Sequence, residues 1–239
     1  MDDKIVINAF VDHLGIEKYP AIKIDRWPDE ENRSEPDIDA IAGSLAIEHT
    51  SIDSIPNQRR NSDWFMQVVD GLEDEFPKIS FRLNITLKYE AVTIGQDWLA
   101  IRQALKQWIN TTSINLYFGT HSINTIPGVP FDITVRKSDR TPGIIFSRIA
   151  PDDHSLPERL RKQVDRKIKK LIPYKANGFI TLLLLENEDI ALMNELVMLR
   201  AIRDAYPCGF PQELDEVWYA DTSLPTDIAF YEFTHDLRK

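Results

Sequence analysis

The segment from residue 35 to residue 50 constrains the fold of this chain most, because it has the pattern of a β-hairpin. Residues 37–42 and 45–50 each alternate, and alternation is typical of a strand whose two faces meet different surroundings. Gly43-Ser44 lies between them and suits a tight two-residue turn. A loop of this length fixes which residues of the two strands are opposite one another.

This register predicts an acidic face. Asp39 lies opposite Glu48 and Asp37 opposite Thr50, and opposite residues share a face, as do alternate residues along a strand. Three carboxylates on one face repel one another unless a positive group lies among them. Since oxygen ligands suit hard cations, we predict that Asp37, Asp39 and Glu48 bind Mg²⁺ or Mn²⁺. The alternative is an acidic strand that only faces solvent.

Composition limits the class of protein. The chain has 239 residues, of which 43% are hydrophobic and 28% charged, as in a globular protein with a substantial core. The longest apolar run, residues 179–185, predicts a buried strand and is too short for a membrane span. The single Cys208 excludes an internal disulfide, and no secretory signal is visible. We therefore expect a cytoplasmic protein without a membrane partner, while its oligomeric state stays open.

The periodicities predict a mixture of helices and strands, and hence an α/β or α+β fold around a mixed sheet. Residues 110–130 are rich in Thr, Asn and Gly and predict a loop over the site. We expect a core with the acidic hairpin at 1–95 and an α/β extension, packed on the same domain, at 96–239. The predicted helices are 3–14, 62–75, 97–109, 156–172 and 190–205. The predicted strands are 21–27, 37–42, 45–50, 79–87, 131–136, 144–149, 179–185, 216–220 and 228–233.

The order helix, three strands, helix, strand over residues 3–87 resembles the αβββαβ core of the PD-(D/E)XK, or restriction-endonuclease-like, nuclease superfamily. Pro36-Asp37 matches the PD of the motif, and Glu48-His49-Thr50 stands at the position of (D/E)-X-K. Asp39 competes with Asp37 for the first role, because it is predicted to lie opposite Glu48. The resemblance implies that the acidic residues hold the catalytic metal. His49 is expected to be buried on the opposite face of the hairpin.

The chain departs from the motif at one position, where Thr50 replaces the lysine that orients or activates the attacking water. Members of this superfamily are known to vary or relocate that lysine. The nearest replacements follow the hairpin: Gln58 is our first choice because an amide can hold a water molecule, whereas Arg59 and Arg60 suit contacts to phosphate. The resemblance thus implies a catalytic set of Asp39, Glu48, Thr50 and Gln58. The alternative for residues 58–60 is a polar connector before a helix.

The predicted helix 156–172 is basic, although the chain has a formal net charge of −10. Residues 156–175 contain eight Lys and Arg residues against two acidic ones. The apolar positions of this segment have helical spacing and predict a buried stripe, which leaves the basic residues to face outward. Phosphate backbones are the expected partner. The predicted nucleic-acid contacts are Arg59, Arg60, Arg161, Lys162, Arg166, Lys169 and Lys170. The alternative is a solvated helix whose charges pair with the acidic remainder.

Together these patterns predict a metal-dependent nuclease that hydrolyses phosphodiester bonds in DNA or RNA. A catalytically inactive module of the same fold, binding nucleic acid or protein, is the first alternative. An unrelated α+β protein is the second. The Trp and Phe residues mostly occupy apolar periodic positions and are assigned to the core rather than to base stacking.

Overall fold

The computed structural model describes residues 2–31, 37–76 and 78–238, and it divides into two compact units. The first unit comprises Met1–Pro56 and His154–Lys239, and the second comprises Asn57–Asp153. The predicted boundary at residue 95 differs from those of the two units, which divide after residues 56 and 153. The reason is that the chain leaves the first unit after the acidic hairpin, builds a second sheet, and returns through the basic helix.

The first unit contains most of the helices and a six-stranded sheet. Its elements are α1 (Asp3–Glu17), β1 (Ile24–Arg26), α2 (Pro28–Glu31), β2 (Ala40–Ala42), β3 (Leu45–Ser51), α5 (Leu156–Ala176), β8 (Ile180–Asn187), α6 (Glu195–Ala205), β9 (Glu216–Asp221), β10 (Ala229–Glu232) and α7 (Thr234–Leu237). The strand order is β1-β2-β3-β8-β9-β10, with β3, β8 and β9 parallel and the remaining pairs antiparallel.

Helices cover both faces of this sheet. One apolar cluster joins α1 to residues such as Leu182 and Leu184 of β8, and another joins α5 and α6 to Leu183 and Leu185 of the same strand. A strand that is covered on both sides needs a continuous apolar run rather than alternation. The predicted buried strand at residues 179–185 is therefore confirmed.

The hairpin has the predicted register over its central residues. Ala42 pairs with Leu45 and Ile41 with Ala46, and Gly43 in the turn has a φ of +54°, a backbone conformation that glycine adopts without strain. The alternation stops at Ala40, however, because β2 begins there. Ile38 consequently packs in the same cluster as Ile41, on the α5 side, whereas unbroken alternation would place it on the opposite face with Ala40. Pro36 lies outside the described residues.

The second unit has a sheet of its own. Its elements are α3 (Gln58–Val69), β4 (Arg82–Lys88), α4 (Trp98–Thr111), β5 (Gly119–Ile123), β6 (Ile133–Ser138) and β7 (Gly143–Ile149), and the strand order is β5-β6-β4-β7. Strand β4 pairs with β6 and β7 and not with the hairpin. The helix and the strand that were expected to complete the hairpin core, α3 and β4, therefore belong to the second unit. Strand β5 lies within the segment 110–130 that was predicted to be a loop.

The chain is thus a mixed α/β protein with two mixed sheets. In the described ranges, none of the helices combines the length and the apolar character needed to cross a bilayer.

Candidate functional site

The acidic hairpin meets helix α5 on one face of the first sheet. The helix has buried residues every three or four positions, at Leu160, Val164, Ile168 and Leu171. Lys167 and Lys170 flank this stripe, and their side chains are only 12% and 21% exposed. The packing of the apolar stripe therefore places two ammonium groups against the hairpin.

Both lysines bind Glu48, which is completely buried. Lys167 donates a hydrogen bond to Glu48 Oε1, and Lys170 Nζ donates to the same oxygen at 2.9 Å. Lys167 Nζ also lies 3.7 Å from Asp39 Oδ2, so one ammonium group is shared between two carboxylates. Asp39 Oδ2 in turn accepts the backbone N–H of His49 at 2.6 Å, which ties the start of β2 to β3.

Asp37 contacts α5 through its backbone as well as through its side chain. Its carbonyl oxygen accepts a hydrogen bond from Lys170 Nζ at 2.6 Å. Its carboxylate Oδ1 accepts the Tyr174 hydroxyl at 2.7 Å and the Ile38 N–H at 2.8 Å. Burial and this hydrogen bond raise the pKa of Tyr174 to about 12, so the tyrosine remains a donor throughout the physiological range.

The electrostatics of Glu48 are unusual for a carboxylate with two lysine partners. Burial raises its pKa above the ordinary value, the neighbouring Asp39 raises it further, and the contacts with Lys167 and Lys170 only oppose these effects. Glu48 Oε2 is buried and has no hydrogen-bond partner among the described residues. An unpartnered buried carboxylate oxygen is costly unless a cation or a donor binds it.

The predicted site residues are therefore brought together in part. Asp39 and Glu48 flank the Lys167 ammonium group. Asp37 reaches this group of residues by its carbonyl oxygen, and its carboxylate is directed to Tyr174. In the described residues, the three predicted metal ligands do not have oxygen atoms that all lie within 4.8 Å of one another. Thr50 is buried in β3, opposite Leu185 of β8.

Residues 58–60 lie in the second unit, in the first turn of α3. The Gln58 carbonyl oxygen accepts the Tyr89 hydroxyl at 3.4 Å, and the Arg60 guanidinium lies 4.8 Å from the centre of the Trp64 ring. The roles predicted for Gln58, Arg59 and Arg60 remain predictions.

Lys167 and Tyr174 belong to the site but are not among the residues predicted for it. The signal was their spacing: with Lys170 they occupy positions i, i+3 and i+7, which lie on one face of a helix. Other basic residues of α5 behave differently. Arg161, Lys162, Arg166 and Lys169 are exposed, whereas Lys170, also predicted to contact nucleic acid, is half-buried and binds Glu48. Nucleic-acid binding by these residues stays a prediction. Arg161 lies 3.8 Å from Asp165, and Arg166 donates to Gln163.

A second polar cluster lies on the opposite, α1, face of the sheet, at the carboxyl ends of β3, β8 and β9. Glu186 Oε2 accepts the Ser51 hydroxyl at 2.8 Å and lies 3.0 Å from His49 Nε2, and its Oε1 accepts the Thr222 hydroxyl at 2.8 Å. Asp3 Oδ1 lies 3.7 Å from His49 Nδ1. His49 is buried on this face, which confirms its predicted orientation.

The ligand atoms of Asp3, His49 and Glu186 all lie within 4.8 Å of one another, the distance range of a metal site. Burial alone would raise the pKa of Glu186, but the bonds with His49, Ser51 and Thr222 lower it to about 2. Every oxygen of this carboxylate already has a partner. The cluster is therefore electrostatically complete without a cation, in contrast to Glu48.

Comparison of the chain with known protein families, curated proteins and solved structures finds no match.

Proposed function

We propose that this protein is a metal-dependent nuclease of the PD-(D/E)XK type. Thr50 occupies the position of the motif lysine, and lysines of α5 take over its role. The observation that carries the proposal is the contact of Lys167 and Lys170 with Glu48. These lysines lie more than 100 positions from Glu48 in the sequence, yet they reach the carboxylate at the (D/E) position of the motif.

The topology of the first unit supports this assignment. Apart from the one-turn helix α2 between β1 and β2, the elements α1, β1, β2, β3, α5 and β8 give the order helix, three strands, helix, strand, and the four strands are neighbours in one sheet. The resemblance seen over residues 3–87 thus applies better to these elements, with the second unit inserted in the sequence between β3 and α5.

Asp39 and Glu48 are the residues that would hold Mg²⁺ or Mn²⁺. Glu48 Oε2 fits this role because it is buried and unpartnered, and carboxylate oxygens are ligands that both ions prefer. A bound ion would lower the pKa of a water molecule and stabilise charge on the phosphate oxygens. Asp37 would contribute less, because Tyr174 and Ile38 already donate to its carboxylate.

The lysines act as positioning residues in this proposal. Lys170 bridges the Asp37 carbonyl oxygen and Glu48, and thereby orients the carboxylate. Lys167 lies between Asp39 and Glu48, where an ammonium group can attract a phosphate oxygen as well as neutralise the carboxylates.

The test is the degradation of single- and double-stranded DNA and RNA with Mg²⁺ or Mn²⁺. We expect Glu48→Gln to lower the cleavage rate by at least about a hundredfold and Lys167→Met by at least about tenfold. Lys175→Met is the matched control, because Lys175 lies on the same helix but pairs with Asp215. It should cleave like the wild type. Wild-type protein that cleaves none of these substrates, or a fully active Glu48→Gln variant, would contradict the proposal.

Metal binding is tested separately by calorimetric titration with Mn²⁺. We expect the wild type to bind the ion and Glu48→Gln not to bind it, while circular dichroism shows that the variant is folded. A Glu48→Gln variant that takes up Mn²⁺ as the wild type does would place any metal elsewhere, for example at Asp3, His49 and Glu186.

A catalytically inactive nucleic-acid-binding module is the second candidate function. It is favoured by one observation: two ammonium groups already lie on Glu48 Oε1 and supply the positive charge that a cation would provide. In that case the protein binds nucleic acid through α5 without cleaving it. Replacing Arg161, Lys162 and Lys169 with Glu should then weaken binding and lower its salt dependence by about one slope unit per lost phosphate contact. Unchanged binding would exclude this interface.

A further inference from the structure

We propose that the second unit binds nucleic acid through its phosphate backbone, on the sheet face opposite α3 and α4. The helices of this unit cover only one side of the sheet: α3, α4 and alternate strand residues such as Leu83, Ile85 and Val135 form one apolar cluster. Side chains alternate between faces along a strand, so the intervening residues of β4–β7 form the other side, here called the open face.

The centre of the open face is a row of hydroxyl groups. Ser122 of β5 pairs with Thr134 of β6, Thr134 with Thr86 of β4, and Thr86 with Ser147 of β7. The row therefore crosses all four strands. Thr86 Oγ1 lies 3.0 Å from Ser147 Oγ, whereas Ser122 and Thr134 are exposed. Hydroxyl groups in this position can donate to phosphate oxygens.

Positive charge lies on both sides of this row. Arg136 of β6 is paired with Asn84 of β4, one row away, and Arg82 and Lys88 lie at the two ends of β4. In the described parts of the chain, none of these three cations forms an ion pair. The strand residues of the open face include no Asp or Glu, although the chain as a whole has a net charge of −10. This charge is complementary to a phosphate backbone.

Asn84 adds an observation of its own. Its side-chain Oδ1 is buried and has no hydrogen-bond partner in the part of the chain that the structure describes, although Asn84 lies between Arg136 and Ile145 in the sheet. Lys137 offers a contrast, because it points to the helix-covered face and its ammonium group is saturated by three backbone carbonyl oxygens. The open face thus has an unsatisfied polar atom at Asn84, whereas the ammonium group of Lys137 on the helix-covered face is fully occupied by contacts within the protein.

Two exposed aromatic residues lie beside this sheet but not on the open face. Tyr117 and Phe118 are 74% and 60% exposed and directly precede β5. The Tyr117 ring packs against His121, which pairs with Val135 of the helix-covered face, and the Phe118 ring lies 5.9 Å from the Lys137 ammonium group. Phe118 therefore does not follow the expectation that the Phe residues are core residues, and the open face is left with its hydroxyl and cationic groups for contacts to phosphate.

This inference rests on the proposed function only in taking nucleic acid as the class of ligand. Its test measures binding and does not depend on cleavage. The probe is a fluorescein-labelled 20-nucleotide oligo(dT), titrated by fluorescence anisotropy with the full-length protein in EDTA. An unlabelled 20-base-pair duplex and an oligo(U) serve as competitors.

We expect Arg82→Gln/Arg136→Gln to weaken binding at least tenfold and to lower the salt slope by about 1.4, which corresponds to two lost contacts with a single strand. Tyr117→Ala/Phe118→Ala should bind like the wild type, because the contacts of these rings are on the helix-covered side. Arg200→Gln, an exposed arginine of α6 in the first unit, is the matched control and should bind like the wild type. Both double variants lie outside the residues of the proposed active site.

Wild-type protein that does not bind oligo(dT), or an Arg82→Gln/Arg136→Gln variant that binds like the wild type, would overturn this inference even if metal-dependent cleavage is observed. Conversely, a protein that loses binding in this variant but never cleaves would sustain the inference and contradict the proposed nuclease. Failure of both competitors to displace the probe would also overturn it, because all three nucleic acids offer a phosphate backbone.

Discussion

Glu48 and Glu186 are both buried, on neighbouring strands of one sheet, yet their surroundings are opposite. Strands β3 and β8 pair in parallel, and the two carboxylates point to different faces of the sheet, Glu48 towards α5 and Glu186 towards α1. Two hydroxyl groups and His49 surround Glu186, and its pKa falls to about 2. Glu48 has two lysine partners, but both contact one oxygen, and its pKa is raised.

The pKa of a buried carboxylate therefore depends less on the number of its hydrogen-bond partners than on whether both of its oxygens have one. Hydrogen bonds to both oxygens stabilise the charged form of Glu186 more than burial destabilises it. At Glu48, one oxygen remains unpartnered and Asp39 adds negative charge, so burial prevails. A carboxylate that is held in an unfavourable state is a candidate for function, whereas one that is fully satisfied is a structural element.

The largest expected effect that tests this comparison is the loss of stability in acid. The folded-state pKa of Glu186, about 2, lies below its ordinary value of 4.5, so the group stabilises the fold fully above pH 4.5. The contribution, about 3 kcal/mol in all, is lost as the pH falls through this interval. Urea unfolding of wild type and Glu186→Gln should show their difference in unfolding free energy shrinking by about 2 kcal/mol between pH 5 and pH 3. A constant difference would contradict the lowered pKa.

A smaller effect is expected when the two glutamates receive the same substitution at neutral pH. Glu186→Gln should lower the free energy of unfolding by about 2 kcal/mol, because charge-assisted hydrogen bonds are lost. Glu48→Gln, measured in EDTA, should change it by less than about 1 kcal/mol, because the charge it removes is already disfavoured by burial. The exposed Glu17→Gln is the control. Equal losses in the two buried variants would remove the distinction between the sites.

The raised pKa of Glu48 also predicts the sign of a pH dependence. A carboxyl whose pKa is raised in the folded state stabilises the fold fully below its unfolded pKa, and this stabilisation is lost as the pH rises through the folded pKa. Wild type should therefore lose stability relative to Glu48→Gln as the pH rises from 4, the reverse of the Glu186 trend. Parallel stability profiles for wild type and Glu48→Gln would contradict this.

The smallest effect is expected from single hydroxyl groups. Thr222→Val keeps the shape of the side chain but removes the donor to Glu186 Oε1, and should cost about 1 kcal/mol. Tyr174→Phe removes the donor to Asp37 at the edge of the other site and should cost less, because Asp37 is only partly buried. Chemical denaturation of both variants measures the difference, and a larger loss in Tyr174→Phe would reverse the assignment of structural and functional carboxylates.

Local patterns in the sequence were sufficient for the hairpin. The Gly43-Ser44 turn and the alternation around it determine the pairing of Ile41 with Ala46, because turn geometry and side-chain direction act over a few residues. The same holds for the buried stripe of α5 and for most other elements, whose ends differ from the prediction by a few residues.

The partner of the hairpin was decided by tertiary structure. The predicted core includes β4 beside the hairpin because β4 follows closely in the chain, whereas β3 pairs with β8, about 135 residues away. One signal distinguished them: β4 alternates and has one buried face, while the continuous apolar run of β8 is typical of a parallel strand covered on both sides.

In the candidate site, too, some features were determined by the sequence alone and others only by tertiary structure. The sequence by itself determined that Asp39 and Glu48 lie close together, since a hairpin register requires it. It did not determine which positive groups would meet them. That depended on the packing of α5 against β3, which brings Lys167 and Lys170 to Glu48 across 119 and 122 positions. Local periodicity sets which face of a helix is buried, but only the assembled sheet and helix set which charges that face contacts.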